Sequence, residues 1–258
     1  MPLLSWILLF CLFGGVLSVL AAAVFLLFPE RVRLRLLPHF VSFAIGALLG
    51  AAFLALLPHA LQGAGDAHLV TGTVLLGVLG FFVLEKMVLW RHCHEAECEV
   101  HAAEGHAHGS PAAGTLILIG DAIHNLVDGV LIAAAFMTDI HLGIVTALAV
   151  AAHEIPQEVG DFAVLLHSGF SRGRAFFYNI VSSLTTVAGG LAAWFGLQQA
   201  QSWLPYILAV AAASFIYIAV ADLIPGLHRR VHAAAAVQQV LLISAGVAVI
   251  FFAHATLH

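Results

Sequence analysis

Long apolar runs dominate this chain of 258 residues and limit the folds open to it. Hydrophobic residues make up 62% of the sequence and charged residues only 9%, whereas a soluble domain carries roughly 25% charged residues. A helix that crosses a bilayer needs about 20 mostly apolar residues. The runs are continuous, without the alternation typical of outer-membrane strands. The sequence therefore predicts a single all-α, polytopic membrane domain over residues 1–258, embedded in a lipid bilayer.

Eight apolar segments have the length of a membrane-spanning helix. Their predicted limits are 3–28, 39–58, 69–90, 113–137, 142–167, 175–196, 204–224 and 235–257. Breaks rich in Pro, Gly and charge separate them, such as PERVRLRLLP and SGFSRGR. The first segment lacks a positive start and is too long for the apolar core of a signal peptide. We therefore expect it to be a mature spanning helix.

The positive charges predict how these spans are oriented. The nine Lys and Arg residues fall after the first, third, fifth and seventh spans: Arg31, Arg33, Arg35, Lys86, Arg91, Arg172, Arg174, Arg229 and Arg230. All nine therefore lie on one side, which the positive-inside rule assigns to the cytosol. Both termini are then extracytoplasmic. Such a short-looped chain suits a bacterial inner membrane.

Two polar strings interrupt the fourth and fifth spans near their middles. HNLVDG begins at His124, and HEIPQEVGD begins at His153. An ionisable group at that depth costs roughly 2.5–3.5 kcal/mol to insert and usually faces a bundle interior or an ion pathway. His124 and Asp128 are four residues apart, as are His153 and Gln157, so each pair shares a helix face. We expect two antiparallel helices to present these groups to each other at the same height.

Imidazole, carboxylate and amide oxygen together suit a divalent transition metal. The predicted ligands are His124, Asn125, Asp128, His153, Glu154, Gln157 and Glu158. Zn(II) is the expected transported ion, with Fe(II), Mn(II), Co(II) or Cd(II) as alternatives. Any single member could instead serve only to hydrogen-bond one helix to another, and Asn125 is the first candidate for that role. Pro156 would free the Ala152 carbonyl and kink the fifth span, as transporters often do at a binding site.

Further polar residues lie on both sides of the predicted ligands and could form a path for the metal ion. Three carboxylates on the predicted cytosolic side form a candidate exit path: Asp121, Asp161 and Asp222. Three residues near the outer ends of the spans are candidates for collecting metal: His59, Asp66 and His141. A helix-end hydrogen bond is the alternative role for Asp121 and Asp222, and plain solvation is the alternative for the outer group.

The segment 92–112 is a His-rich cytosolic loop between the third and fourth spans. Its histidines are predicted to bind metal weakly: His92, His94, His101, His106 and His108. Its two cysteines do not form a CxxC pair, so a rigid structural zinc site is not expected. The acidic, His-rich and Lys-poor composition suits cations and excludes a nucleic-acid binder, which needs a basic surface.

Two other features leave alternatives open. HEIPQ has the start of the HExxH zinc-protease helix, but Gln157 stands where the second His should be. An intramembrane metalloprotease is therefore the alternative from another class, beside a metal-selective channel, and we expect no enzyme. Gly46 and Gly50 have the GxxxG spacing of close helix contacts, within one chain or in a homodimer.

At the two polar strings the sequence resembles the ZIP (Zrt/Irt-like) family of metal transporters. HNLVDG matches the HNFxDG motif, and HEIPQEVGD is similar to HExPHExGD of one branch of that family. LLPHAL, GFFVLEK and IAVADLIPGLH add to the resemblance, which covers most of the chain.

The resemblance implies a 3+2+3 arrangement of eight helices, external termini, uptake toward the cytosol, and a binuclear metal centre between spans four and five. It implies that one metal is bound by His124, His153 and Gln157. It implies that a second is bound or bridged by Asn125, Asp128, Glu154 and Glu158. Gln157 replaces the His of that branch, and a neutral amide oxygen binds a divalent ion more weakly than imidazole does.

Overall fold

The computed structural model describes residues 2–92, 111–228 and 232–257. Eight long helices run through these ranges: α1 Leu3–Leu26, α2 Glu30–Ala64, α3 Ala67–His92, α4 Pro111–Thr138, α5 Ile140–His167, α6 Arg172–Leu197, α7 Gln201–Leu227 and α8 Ala233–Leu257. No strand occurs in the described ranges. The prediction of an all-α protein is thus confirmed.

Seven of the eight described helices are long and apolar enough to cross a membrane. The remaining helix, α5, has 28 residues but falls short in apolarity, because its second half carries the polar string. An isolated helix of this kind would be a poor membrane span. His153, Glu154 and Glu158 are buried in the bundle.

Most predicted limits agree with the helices within three residues, for example 204–224 against Gln201–Leu227. The limits of the second span are wrong: α2 begins at Glu30, not 39, and ends at Ala64, not 58. PERVRLRLLP therefore is not a loop but the first turns of a helix, which continues through Pro38. Long Arg side chains can reach the interface from such a position, and Leu and Arg favour helix.

Three helices contain local irregularities that the sequence analysis missed. Gly15 interrupts α1 between Leu3–Gly14 and Val16–Leu26. Ala51–Leu56 in α2 and Ile218–Leu223 in α7 are π-helical, and each of these segments ends two residues before a proline. A proline ring collides with the carbonyl one turn earlier and offers no N–H, so a wider turn is a natural accommodation.

A single residue, Asp139, links α4 to α5. Its carboxylate accepts hydrogen bonds from the backbone N–H groups of His141 (2.8 Å) and Leu142 (3.1 Å) and so caps α5. The other end of α5 is closed by Gly169, whose φ of +87° suits glycine. This minimal link makes α4 and α5 an antiparallel pair.

The helices pack in two groups. In the first, α4 packs extensively against α6, and α1 contacts α4, α5 and α6. In the second, α2 packs against α8, and α3 packs against α7. The pairs α2–α5 and α4–α7 connect the two groups.

Gly46 and Gly50 lie where α2 meets α8. A Cβ atom at Gly46 would overlap the backbone of Ile243, and one at Gly50 would lie 3.2 Å from Cβ of Ile250. These contacts advance together along both helices, so α2 and α8 run parallel. The GxxxG spacing is therefore used within the chain and gives no argument for a homodimer.

Candidate metal centre

The centre begins with two histidines that face each other across α4 and α5. Nε2 of His124 lies 3.2 Å from Nε2 of His153. Nδ1 of His153 lies 3.1 Å from the Ala149 carbonyl oxygen, which can only accept a hydrogen bond. Nδ1 of His153 therefore carries the proton, and its Nε2 presents the lone pair that a metal needs.

Two carboxylates complete this first cluster. Oδ2 of Asp128 lies 3.3 Å from Nε2 of His153 and 3.7 Å from Nε2 of His124. Oε1 of Glu154 lies 3.3 Å from Nε2 of His124 and 3.5 Å from Nε2 of His153. The four ligand atoms lie within 4.8 Å of one another. Two nitrogens and two carboxylate oxygens form a ligand set suited to zinc.

A second cluster shares Glu154 with the first. Asp121, Glu154 and Glu158 each offer a carboxylate oxygen, and these atoms also lie within 4.8 Å of one another. Asp121 precedes His124 by about one helical turn, and Glu158 follows Glu154 by the same distance along α5. The two clusters are therefore stacked along the helix pair, with one carboxylate between them.

The carboxylates of both clusters are buried, and all but one of their eight oxygens lack a hydrogen-bond partner. Seven of their oxygens have no hydrogen-bond partner in the described structure: Asp121 Oδ2, Asp128 Oδ1 and Oδ2, Glu154 Oε1 and Oε2, and Glu158 Oε1 and Oε2. Each of these residues is 5% exposed or less. Buried polar atoms without partners are costly and rare in folded proteins. Divalent cations between the carboxylates would satisfy them.

The two predicted amide ligands differ from the other members. Asn125 is buried, donates hydrogen bonds to Asp121, and accepts one at 2.8 Å from the Thr186 hydroxyl on α6. Gln157 is half-buried and lies one turn after His153. The helix α5 continues through Pro156 to His167.

The candidate exit residues differ in how far they are buried. Asp121 is buried and belongs to the second cluster. Asp161 is half-buried, and Asp222 is exposed on the π-helical segment of α7. Neither of these two belongs to the clusters found among the described residues. Nearby in sequence, the Tyr217 hydroxyl donates a hydrogen bond to Glu85 of α3.

At the other end of the bundle, His59 has a partner that the sequence analysis missed. Its ring lies edge-to-face against that of His254 on α8, with 5.4 Å between centroids. Asp66 instead caps α3 by accepting from the N–H of His68 at 2.8 Å. His141 lies 3.5 Å from the Asp139 carboxylate. Only long-range packing pairs His59 with His254, so no local spacing could have predicted it.

The predicted loop site falls largely outside the described residues. His94, His101, His106 and His108 lie in the range 93–110, and His92 is the last residue of α3.

Most of the chain is similar to known zinc transporters. Residues 90–254 match the family model described as ZIP Zinc transporter. The chain is 33% identical over 234 residues to zinc transporter ZIP13 of Pongo abelii, an alignment that covers 83% of this chain and 65% of the relative.

Two further relatives are also zinc transporters that align with this chain over part of their length. Zinc transporter YKE4 of Saccharomyces cerevisiae is 30% identical over 206 residues, covering 72% of this chain and 59% of the relative. Zinc transporter ZIP4 of Mus musculus is 45% identical over 115 residues, covering 43% of this chain and 17% of the relative. The chain thus spans less than two thirds of the length of each.

The matched model covers more than half of the chain and includes both polar strings. Its family is one of transporters rather than enzymes, so it does not favour the metalloprotease alternative. With its apolar helices, the chain is an integral membrane protein. It belongs to the ZIP zinc transporter family.

Proposed function

We propose that this chain is a carrier that moves divalent transition-metal ions toward the cytosol, and that zinc is its main substrate. The observation that carries the proposal is the set of two imidazoles and four carboxylates between α4 and α5, all buried except the half-buried His124. Seven of the eight carboxylate oxygens have no hydrogen-bond partner. A site of this composition half-way along two long helices can replace the water shell of a cation within the membrane. The printed names of the relatives favour zinc among the candidate ions.

The proposed topology has eight spans in a 3+2+3 arrangement with external termini. The positions of three basic residues support it. Arg31 and Arg172 lie at the N-terminal ends of α2 and α6, and Lys86 lies toward the C-terminal end of α3. In the proposed topology all of these helix ends face the cytosol. The parallel course of α2 and α8 also fits, since both would run outward. A bacterial inner membrane stays a prediction, because the relatives compared are eukaryotic.

The centre is proposed to hold two ions. His124, Asp128, His153 and Glu154 would bind the first, and Asp121, Glu154 and Glu158 would bind the second. Glu154 would bridge them. Gln157 remains a proposed weak ligand of the first ion, because its amide oxygen lies one turn from His153.

Transport is proposed to proceed by movement of one helix group against the other. The ligands all belong to α4 and α5 in the first group, while α2 and α7 of the second group pack against them. A shift at the α2–α5 and α4–α7 contacts would expose the centre to one side and then the other. The π-helical segments lie in α2 and α7, and such segments are common at functional sites.

Release is proposed to follow protonation of the ligands, because metal binds only deprotonated imidazole and carboxylate. Asp161 and Asp222 would then accept the ion, and the His-rich loop 92–112 would buffer it in the cytosol. A transport rate that is indifferent to pH across the titration range of histidine would contradict proton-linked release.

The test is zinc uptake into proteoliposomes by the wild-type chain, His153→Ala and Glu154→Ala. We expect saturable uptake by the wild type and loss of more than about tenfold in both variants, since even outer-shell changes cost 10–100-fold at metal sites. His68→Ala is the matched control, because His68 is exposed and lies outside both clusters. Uptake that does not saturate would indicate a channel instead.

If the wild type moves no Zn, Fe or Mn, the carrier proposal fails. A peptide-cleavage assay would then test the metalloprotease alternative, which predicts activity abolished by Glu154→Ala.

A further inference from the structure

A chain of buried hydrogen bonds runs from α6 to the second cluster. The Thr186 hydroxyl donates to Oδ1 of Asn125 at 2.8 Å. Nδ2 of Asn125 then donates to Oδ1 of Asp121 at 2.9 Å and to the Asp121 backbone carbonyl at 3.2 Å. All three residues are at most 5% exposed. The other carboxylate oxygen of Asp121, Oδ2, has no hydrogen-bond partner.

The partners determine which way the Asn125 amide faces. The Asp121 backbone carbonyl and its ionised carboxylate are both acceptors only. The NH₂ group of Asn125 must therefore face Asp121. Oδ1 of Asn125 therefore faces Thr186, whose hydroxyl can donate. The one atom of Asn125 that could bind a metal is thus engaged by α6.

We propose that Thr186 and Asn125 are positioning residues which hold Asp121 by its Oδ1 and leave its Oδ2 available for an ion shared with Glu154 and Glu158, so that Asp121 rather than Asn125 binds the second ion. This inference rests on the proposed function, since it concerns the same transported ion. Outer-shell hydrogen bonds orient metal ligands in this manner at many sites. It departs from the assignment that the family resemblance implies for Asn125.

Thr185 provides a matched control next to Thr186. Its hydroxyl lies 2.7 Å from the carbonyl oxygens of Ala122 and Ser182 and so contacts only backbone. Replacement of either threonine by valine removes a hydroxyl at almost constant volume. Only the change at Thr186 would release Asn125, whereas both would disturb the α4–α6 contact.

The experiment measures zinc stoichiometry and affinity of the purified full chain in detergent, by calorimetric titration and metal analysis. We expect two ions for the wild type and for Thr185→Val, and loss of the second ion in Asp121→Ala. In Thr186→Val the affinity for the second ion should fall roughly 10–100-fold. Thr186→Ser keeps the hydroxyl and should bind the second ion with the wild-type affinity. If Thr186 acted only by packing its methyl group, Thr186→Ser would lose affinity instead.

Three results would overturn the inference. The first is a wild-type chain that binds a single ion, and the second is Thr186→Val binding both ions with unchanged affinity. The third is an Asn125→Ala variant that loses the second ion while Asp121→Ala keeps it. Because binding is measured without transport, failure of the proposed carrier function would appear separately, as normal binding with no uptake in proteoliposomes.

Discussion

Nε2 of His124 and Nε2 of His153 lie 3.2 Å apart, although 29 positions separate these residues in the sequence. Two nitrogens bound to one tetrahedral zinc at 2.0–2.1 Å would lie about 3.3 Å apart. The protein therefore holds the two imidazoles at the separation that a shared zinc requires. Folding sets this separation, because the one-residue link brings α4 and α5 together at Asp139.

Zinc should stabilise the folded chain. A ligand at 100 times its dissociation constant adds about 2.7 kcal/mol to the free energy of unfolding, and the seven oxygens without donors are the groups that would gain. We expect thermal unfolding in detergent to shift upward with zinc and to return with a chelator. His153→Ala should lose most of the shift and His68→Ala should keep it, and equal shifts in both would contradict the assigned site.

Gln157→His should strengthen zinc binding. An imidazole replaces a neutral amide oxygen one turn after His153, and nitrogen is the better zinc ligand. We expect a lower KM for zinc uptake together with a lower maximal rate, because a tighter site releases more slowly. The kinetics would be measured in proteoliposomes beside Gln157→Ala, and a KM raised equally by both changes would argue that Gln157 acts by packing.

The outer pair should affect uptake mainly at low zinc. His59 and His254 have a ring separation of 5.4 Å, close to the 5.5 Å of the central histidines. If they collect ions, His59→Ala and His254→Ala should each raise KM severalfold, with little change in maximal rate, and the double variant should add little. A fall in maximal rate with unchanged KM would instead assign the pair to packing of α2 against α8.

The α4–α6 contact should be sensitive to one methyl group. A Cβ at Gly129 would overlap the Thr186 carbonyl oxygen, so Gly129→Ala must push the two helices apart. Overpacking of this kind costs roughly 1–3 kcal/mol. Gly120→Ala in the same helix is the control, because no atom outside its own helix backbone and its chain neighbours lies within 4 Å of the new Cβ. The measurement is thermal unfolding in detergent, and equal midpoints would show that the contact can relax.

Much of this architecture could be predicted because the bilayer imposes simple limits on length and polarity. Helix-period spacing brought His124 and Asp128 to one face, and the short link implied an antiparallel partner carrying His153 and Glu154. These are properties of neighbouring residues along one helix or across one turn.

Features that depend on contacts between distant helices could not be predicted. Thr186 lies 61 positions from Asn125 and looks like an ordinary polar residue in an apolar helix. The two π-helical segments also gave no pattern of their own, since a proline indicates an irregularity but not its type. Asp121 was predicted as an exit residue, although its spacing from Asn125 and Asp128 would also have suited a ligand.

The single residue between α4 and α5 has a consequence for how selectivity can arise. Because Asp139 alone joins the helices that carry every cluster residue, the ligands form one preassembled hairpin. In the proposed transport cycle, the coordination shell would then not have to be rebuilt from parts on opposite sides of a moving interface. Discrimination among ions would depend on this hairpin alone, while opening and closing would depend on its contacts with the surrounding helices.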